Sequence, residues 1–329
     1  MRITILFGGT NKERLVSVAS AQALHRALPE ADLWFWDVDD SVYEVRSKTL
    51  LNHSRPFEDA FNPGTPAIGA IEAALDRAGA EDRVLVLGLH GGRAENGELQ
   101  VMCEMRGIAF TGSASASSYI AFDKETAKRF VALAGVKAPS GIALEDIDAA
   151  LAEYGKLIAK PARDGSSYGL IFVNAKQDIV AVRNAASTEE YLIEPFIAGV
   201  EATCGVLEQA DGSLIGLPPV EIIPGEGAFD YTAKYLLKST QEICPGRFSP
   251  DITAALMDQA LRAHRALSCS GYSRTDFIVS QNGLIYLETN TLPGLTAASL
   301  YPKALKAHGI EFADFLRDQI ALAAKRARK

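Results

Sequence analysis

Residues 274–290 read Arg-Thr-Asp-Phe-Ile-Val-Ser, then Gln-Asn-Gly, then Leu-Ile-Tyr-Leu-Glu-Thr-Asn. Two runs rich in β-branched and aromatic residues flank an Asn-Gly pair, which predicts a β-hairpin. Taking Gln281-Asn282-Gly283 as a three-residue loop, with Gly283 in the left-handed position, sets the register. Ser280 then faces Leu284, Ile278 faces Tyr286, and Asp276 lies opposite Glu288. Side chains alternate along a strand. Phe277, Val279, Ile285 and Leu287 therefore form one apolar face, and Asp276, Glu288 and Asn290 share the other. A two-residue loop would turn Asp276 to the wrong face. Two carboxylates held side by side repel unless something compensates. A hard divalent cation, which prefers oxygen ligands, does so; a solvated outer face is the plainer alternative.

Outward from the hairpin, Arg274 opens its first strand, and residues 290–294 with Ser299 follow its second. An arginine can fork onto carboxylate or phosphate oxygens. Residues 160–169, KPARDGSSYG, put Lys160 at the end of a predicted buried strand, from which it can reach a cleft. The Gly-Ser-Ser loop offers N–H groups and hydroxyls to phosphate oxygens, or is an ordinary polar loop. The pattern GxxxxGK[ST] is absent, so this is no P-loop. Residues 8–14, GGTNKER, follow a strand and open a helix. A helix start favours an anion, and Glu13 could hold an ammonium, so a zwitterion would match both; a solvent-facing turn is the alternative. Lys234 and Tyr235, in a polar loop over 225–248, put a cation and a hydroxyl on a candidate lid.

Apolar runs at 3–7, 33–38 and 84–89 alternate with helical periodicity from about Ser17 and over 68–78. This predicts an α/β fold with a parallel, helix-covered sheet in the first ~110 residues. Ligands bind such sheets beyond the carboxyl ends of the strands, where Gly8-Gly9 and Gly91-Gly92 lie. Residues 40–66 read as mixed and polar, broken by Asn62-Pro63-Gly64 and Pro66. Later helices are expected over 123–135, 176–187, 251–267 and from about 311. At 329 residues the chain is long enough for two or three domains. Its net charge of −8 argues against a broad grip on nucleic acid. No apolar run approaches the ~18 residues of a membrane span. The first apolar run is too short for a secretory leader, which predicts a cytoplasmic protein. Cys103, Cys204, Cys244 and Cys269 form no CxxC pair and read as reduced thiols.

These residues resemble the D-alanine–D-alanine ligase family of the ATP-grasp superfamily. The matching stretches are FGGTNKERLVS (7–17), LHGGRAENGELQ (89–100), FTGS (110–113), FDK (122–124), KPARDGSSYG (160–169), IEPFIAGVE (193–201), FDYTAKY (229–235), RTDF (274–277) and ETNTLPGLT (288–296). They occur in the family's order and cover nearly the whole chain. Leu15 stands where the family usually has a second acid. The resemblance implies an N-terminal parallel-sheet preATP-grasp domain over 1–112, which holds substrate. It places a central ATP-grasp subdomain over 113–194, and a C-terminal one with metal site and lid loop over 195–329.

The resemblance also implies roles. Lys124 and Lys160 would contact ATP phosphates, Glu194 with Phe196 and Ile197 the adenine, Glu201 the ribose, and Lys234 the γ-phosphate. Asp276, Glu288 and Asn290 would hold two Mg²⁺ ions, with Mn²⁺ able to substitute. Glu13 would hold the ammonium of the first D-alanine, with Ser166 and Tyr235 as hydrogen-bonded partners and His90 beside it. Arg274 and the Gly294 backbone would stabilise the acyl phosphate and the oxyanion. Ser299 would hold the second carboxylate, with Leu300 beside its methyl. The implied reaction joins two D-alanine molecules for peptidoglycan precursor synthesis, in a homodimer. The alternative is the same chemistry on other D- or L-amino acids or a hydroxy acid.

Overall fold

In this computed structural model, residues 1–163, 165, 169–224 and 240–328 are described. Three sheets organise them. The first holds β1 (Arg2–Gly8), β2 (Asp32–Trp36), β3 (Ser41–Val45), β4 (Ala67–Ala70), β5 (Arg83–Leu87) and β6 (Ala109–Phe110) in the order β4-β3-β2-β1-β5-β6. β2, β1, β5 and β6 run parallel, as expected. β1 and β5 are buried on both faces, as central parallel strands must be. The stretch read as irregular, 40–66, instead supplies β3, which runs antiparallel on the β2 edge, and the short helix Ser47–Leu51. Only Val42 and Val45 of β3 turn inward, so its alternation is too weak to read.

The second sheet is antiparallel: β7 (Leu157–Pro161) lies between β8 (Ile171–Val173) and β9 (Tyr191–Pro195). Leu157 and Ala159 face a small core, so Ile158 and Lys160 point the other way. The third sheet comprises β10 (Val200–Glu208), β11 (Leu214–Gly216), β12 (Val220–Ile223), β13 (Gln241–Ile243), β14 (Tyr272–Ser280) and β15 (Gly283–Asn290). Its order is β13-β12-β10-β14-β15, with β11 also on β10. Helices Ser115–Phe122, Lys124–Leu133 and Pro250–Ala266 cover one face of it. Helices Leu300–His308 and Phe312–Ala327 join the third sheet to the first. Tyr272, Tyr301 and Phe315 share a continuous apolar core with Ile5, Phe7 and Val86. The buried Tyr301 hydroxyl donates to the Val206 carbonyl at 2.9 Å.

The hairpin differs from its expected register in two ways that cancel. Ser280 pairs with Gly283, so the loop has two residues, Gln281 and Asn282. Phe277 pairs with Tyr286 and Asp276 with Glu288, so Leu287 is an extra residue, a β-bulge. Leu284 and Tyr286 turn to the helix-covered core with Phe277 and Val279. Ile285 and Leu287, expected on that face, do not join it. Beyond the bulge the parity switches, and Glu288 still stands opposite Asp276.

Gly8 ends β1 with φ of +98°, and a Cβ there would collide with the Trp36 carbonyl oxygen. Its N–H is held by Ser17 Oγ, which in turn donates to the Gly88 carbonyl at 2.6 Å. We predict that Gly8→Ala lowers folding stability by at least about 1–2 kcal/mol, the cost of a left-handed non-glycine residue. Denaturant unfolding checks this; an unchanged midpoint would contradict the packing described.

Candidate active site

Two cavities meet at the hairpin. The larger, about 700 Å³, lies between the second and third sheets. The smaller, about 230 Å³, lies between the strand ends of the first sheet and the loops after β15. Lys124, Glu201, Asp276 and Glu288 line both, so the two acids stand where the cavities join. Asn290 faces the smaller one.

Each of these three oxygens has a partner. Arg274 Nε and Nη2 donate to the Asp276 carboxylate at 2.9 and 2.8 Å, and the Thr203 hydroxyl donates to the same group. Lys124 Nζ lies 3.5 Å from Glu288 Oε2. Asn290 Oδ1 accepts from the Leu292 N–H at 2.7 Å. Among the described residues no three His, Cys, Asp or Glu side chains gather round one point. The candidate set is two carboxylates and an amide, with two cations balancing the acids. That chemistry, all hard oxygen donors, fits a magnesium-class ion.

The walls of the larger cavity carry the expected nucleotide residues. Glu194, fully buried on β9, is clamped by Lys128 and by Lys160 at 3.0 Å. Burial lowers the Lys128 pKa although Glu194 opposes the shift. Phe196, Ile197, Ile278 and Leu287 line the same space. Lys156 Nζ sits 3.9 Å from the Phe196 ring centre, a cation–π contact at the rim.

In the smaller cavity the two glycine turns are tied together. Asn11 Nδ2 donates to the His90 carbonyl at 2.8 Å, and Asn11 Oδ1 accepts from the Glu13 N–H at 2.7 Å. A Cβ at Gly91 would collide with Glu13 Oε2, and Gly91 has φ of +63°, so only glycine admits this carboxylate. His90 Nδ1 lies 3.1 Å from the Leu292 carbonyl. A carbonyl only accepts, so Nδ1 carries the proton and Nε2 accepts from the Ser20 hydroxyl at 2.8 Å. Burial pulls the His90 pKa down to about 4, so the ring is neutral. Ser299 stands at the start of the helix Leu300–His308, and its Oγ lies 2.8 Å from Thr296 Oγ1.

Two family models match this chain. One, described as D-ala D-ala ligase N-terminus, covers residues 2–113. The other, D-ala D-ala ligase C-terminus, covers 145–321. The chain belongs to the D-alanine–D-alanine ligase family. A D-alanine–D-alanine ligase of Syntrophobacter fumaroxidans is 35% identical over 98% of this chain and 97% of its own length. One from Nitrosomonas europaea is 35% identical over 94% of this chain and 93% of its own length. The solved VanG D-Ala:D-Ser ligase from Enterococcus faecalis superposes with a TM-score of 0.78 at 30% identity, covering 98% of this chain and 99% of that one. The D-alanine–D-alanine ligase of Coxiella burnetii superposes with a TM-score of 0.81 at 25% identity, covering 100% of this chain and 95% of that one.

Most of the residues expected from the ligase resemblance converge. Glu13, His90, Arg274, Asp276, Glu288, Asn290, Gly294, Ser299 and Leu300 line the smaller cavity. Lys124, Lys160, Glu194, Phe196, Ile197 and Glu201 line the larger. Ser166, Lys234 and Tyr235 lie outside the described residues. Three residues were missed by the sequence reading. Lys128 stands one turn beyond Lys124 on the same helix, a spacing that could have found it. Asn11 lies inside GGTNKER but shows its bridging role only in three dimensions. Glu95 lies inside LHGGRAENGELQ and lines the smaller cavity.

Burial pushes the Glu95 pKa up to about 8, and the nearby Glu13 charge adds to the shift. In the folded ligase Glu95 keeps its proton up to about pH 8; in the unfolded chain it loses it near 4.5. Its contribution to stability is therefore complete below pH 4.5 and is lost as the pH rises towards 8. We predict that, in metal-free protein, Glu95→Gln removes up to one proton's slope, about 1.4 kcal/mol per pH unit, from the stability profile in that window. Denaturant unfolding between pH 5 and 8 measures it; identical slopes in both proteins would contradict the assignment.

Proposed function

We propose that this ATP-dependent ligase joins two D-alanine molecules into D-alanyl-D-alanine for peptidoglycan precursor synthesis. The junction of the two cavities at Asp276 and Glu288 supports the reading most directly. It lets a nucleotide phosphate in one space meet an amino-acid carboxylate in the other. The carboxylate of the first D-alanine attacks the γ-phosphorus, giving an acyl phosphate and ADP. The amine of the second attacks that carbonyl, and phosphate leaves.

Such phosphoryl transfer needs positioning and charge neutralisation more than covalent help. Lys124 and Lys160, with Lys234, offer cations to the phosphates, while Glu194, Phe196 and Ile197 form the adenine wall and Glu201 faces the ribose. Glu13 holds the first ammonium, with Ser166 and Tyr235 completing that pocket. Neutral His90 adds no charge; it fixes the turn beside the first substrate to the loop after β15. Arg274, with the Gly294 backbone, faces the developing oxyanion. Ser299, at a helix start, receives the second carboxylate, and Leu300 its methyl. Asp276, Glu288 and Asn290 would hold Mg²⁺ or Mn²⁺. Bound there, the metal would neutralise the transferring phosphoryl group.

The same reading divides the chain at 112/113 and 194/195, makes it a homodimer and places it in the cytoplasm. Among the described residues no helix is long and apolar enough to cross a membrane. Phosphate release across a panel of D- and L-amino acids, with each product identified by mass, tests the substrate assignment. D-Alanine should give the fastest release and a dialanine product. Glu288→Gln should abolish D-alanine-dependent phosphate release, because the neutral amide removes the negative charge and one of the two donor oxygens of the carboxylate. Release at the wild-type rate would contradict the assigned role.

A further inference from the structure

Phe57 lines the smaller cavity together with Glu13, His90, Ser299 and Leu300. It lies outside every motif quoted above, in the irregular stretch between the helix Ser47–Leu51 and β4. That stretch is an anchored arch. Phe61 is buried, with ring centres 4.9 Å from Phe35 and 5.7 Å from Phe7 in edge-on contacts. The His53 ring stands edge-on against Phe61 at 5.4 Å. Gln22, buried on the first helix, donates from Nε2 to the Leu50 and His53 carbonyls at 2.9 and 2.7 Å.

Between these anchors the backbone turns at 55–59. The Asp59 N–H donates to the Arg55 carbonyl at 3.0 Å, and the Arg55 guanidinium grips the Asp59 carboxylate at 2.9 and 2.7 Å. His53 Nε2 donates to the Asp59 carbonyl at 3.2 Å. Phe57 is at the crest of that turn. Phe57 and Leu300, the residue expected beside the second methyl, line the same cavity.

The Phe57 side chain thus stands, on an anchored turn, at the wall of a space of about 230 Å³ that the proposed reaction fills with two amino acids. We propose that Phe57 sets the size limit on the side chain of the second amino acid. The inference rests on the ligation described under Proposed function. Large apolar walls reject extra methylenes by steric exclusion, whereas discrimination by lost contact alone amounts to only about 10–200-fold per methylene.

The test uses the full chain with ATP, Mg²⁺ and equal D-alanine and D-norvaline, and reads the dipeptides by tandem mass spectrometry. Wild type should yield dialanine almost alone. Phe57→Ala should raise the ratio of D-alanyl-D-norvaline to dialanine by at least about tenfold, with norvaline at the carboxyl position. Arg55→Ala, which loosens the arch without entering the cavity, should move the ratio the same way by less. Dialanine from wild type with a ratio changed less than twofold in both variants would overturn the inference. A gain of norvaline at the amino position alone would also overturn it. No dialanine from wild type would instead overturn the ligation reading itself.

Discussion

The bulge at Leu287 is the constraint on which the site depends. Leu284 and Tyr286 must face the helix Pro250–Ala266, where Tyr286 is fully buried against Phe277 with ring centres 6.3 Å apart. Glu288 and Asn290 have the same parity in sequence and must face the opposite way. A regular strand cannot satisfy both requirements. One extra residue satisfies them, and it re-aims the last turns of the strand at the cavities. The paired Thr275 and Thr289 hydroxyls, 3.0 Å apart and buried, close the covered face beyond the bulge. The acids are therefore positioned by the same packing that forms the core of the third sheet.

Charge is arranged around this hairpin in pairs. Burying an isolated ion costs several kcal/mol, and removing one partner of a buried pair is strongly destabilising. Glu194 is held by two lysines, Asp276 by an arginine and a threonine, and Glu288 has Lys124 within 3.5 Å. His90 is neutral with both ring nitrogens occupied. Of the balancing cations, Lys124 and Lys160 also line the larger cavity and Arg274 the smaller, whereas Lys128 stands behind Glu194. The buried pairs fix side-chain directions, and low local polarity strengthens each interaction.

Much of this was legible in the sequence, and the reasons differ by element. Continuous apolar runs gave β1 and β5, because strands buried on both faces have no polar side. Lys160 was legible because it ends the apolar run Leu157-Ile158-Ala159. β3 was not, since only two of its residues are buried. The hairpin was read with the wrong loop, yet Asp276 was placed opposite Glu288 correctly. Gln281-Asn282-Gly283 does not reveal whether two or three residues form the loop, and a bulge leaves no mark in residue type. Phe57 and Glu95 left no signal, because a single residue in an arch or a turn has no periodicity to betray it. Motif resemblance picked out the site residues; Lys128 could have been found from its spacing to Lys124, whereas the bridge made by Asn11 became visible only in three dimensions.

The bulged hairpin turns two carboxylates and an amide toward the junction of the two cavities, where the metal is proposed to bind. Anomalous scattering from crystals of the full chain soaked with Mn²⁺ and a non-hydrolysable ATP analogue tests it most directly. Manganese peaks are expected at the ligand distances of hard divalent cations, about 2.0–2.6 Å, from oxygens of Asp276, Glu288 and Asn290, between nucleotide phosphates and the smaller cavity. Manganese bound with the nucleotide elsewhere, leaving Asp276 and Glu288 without metal, would contradict it.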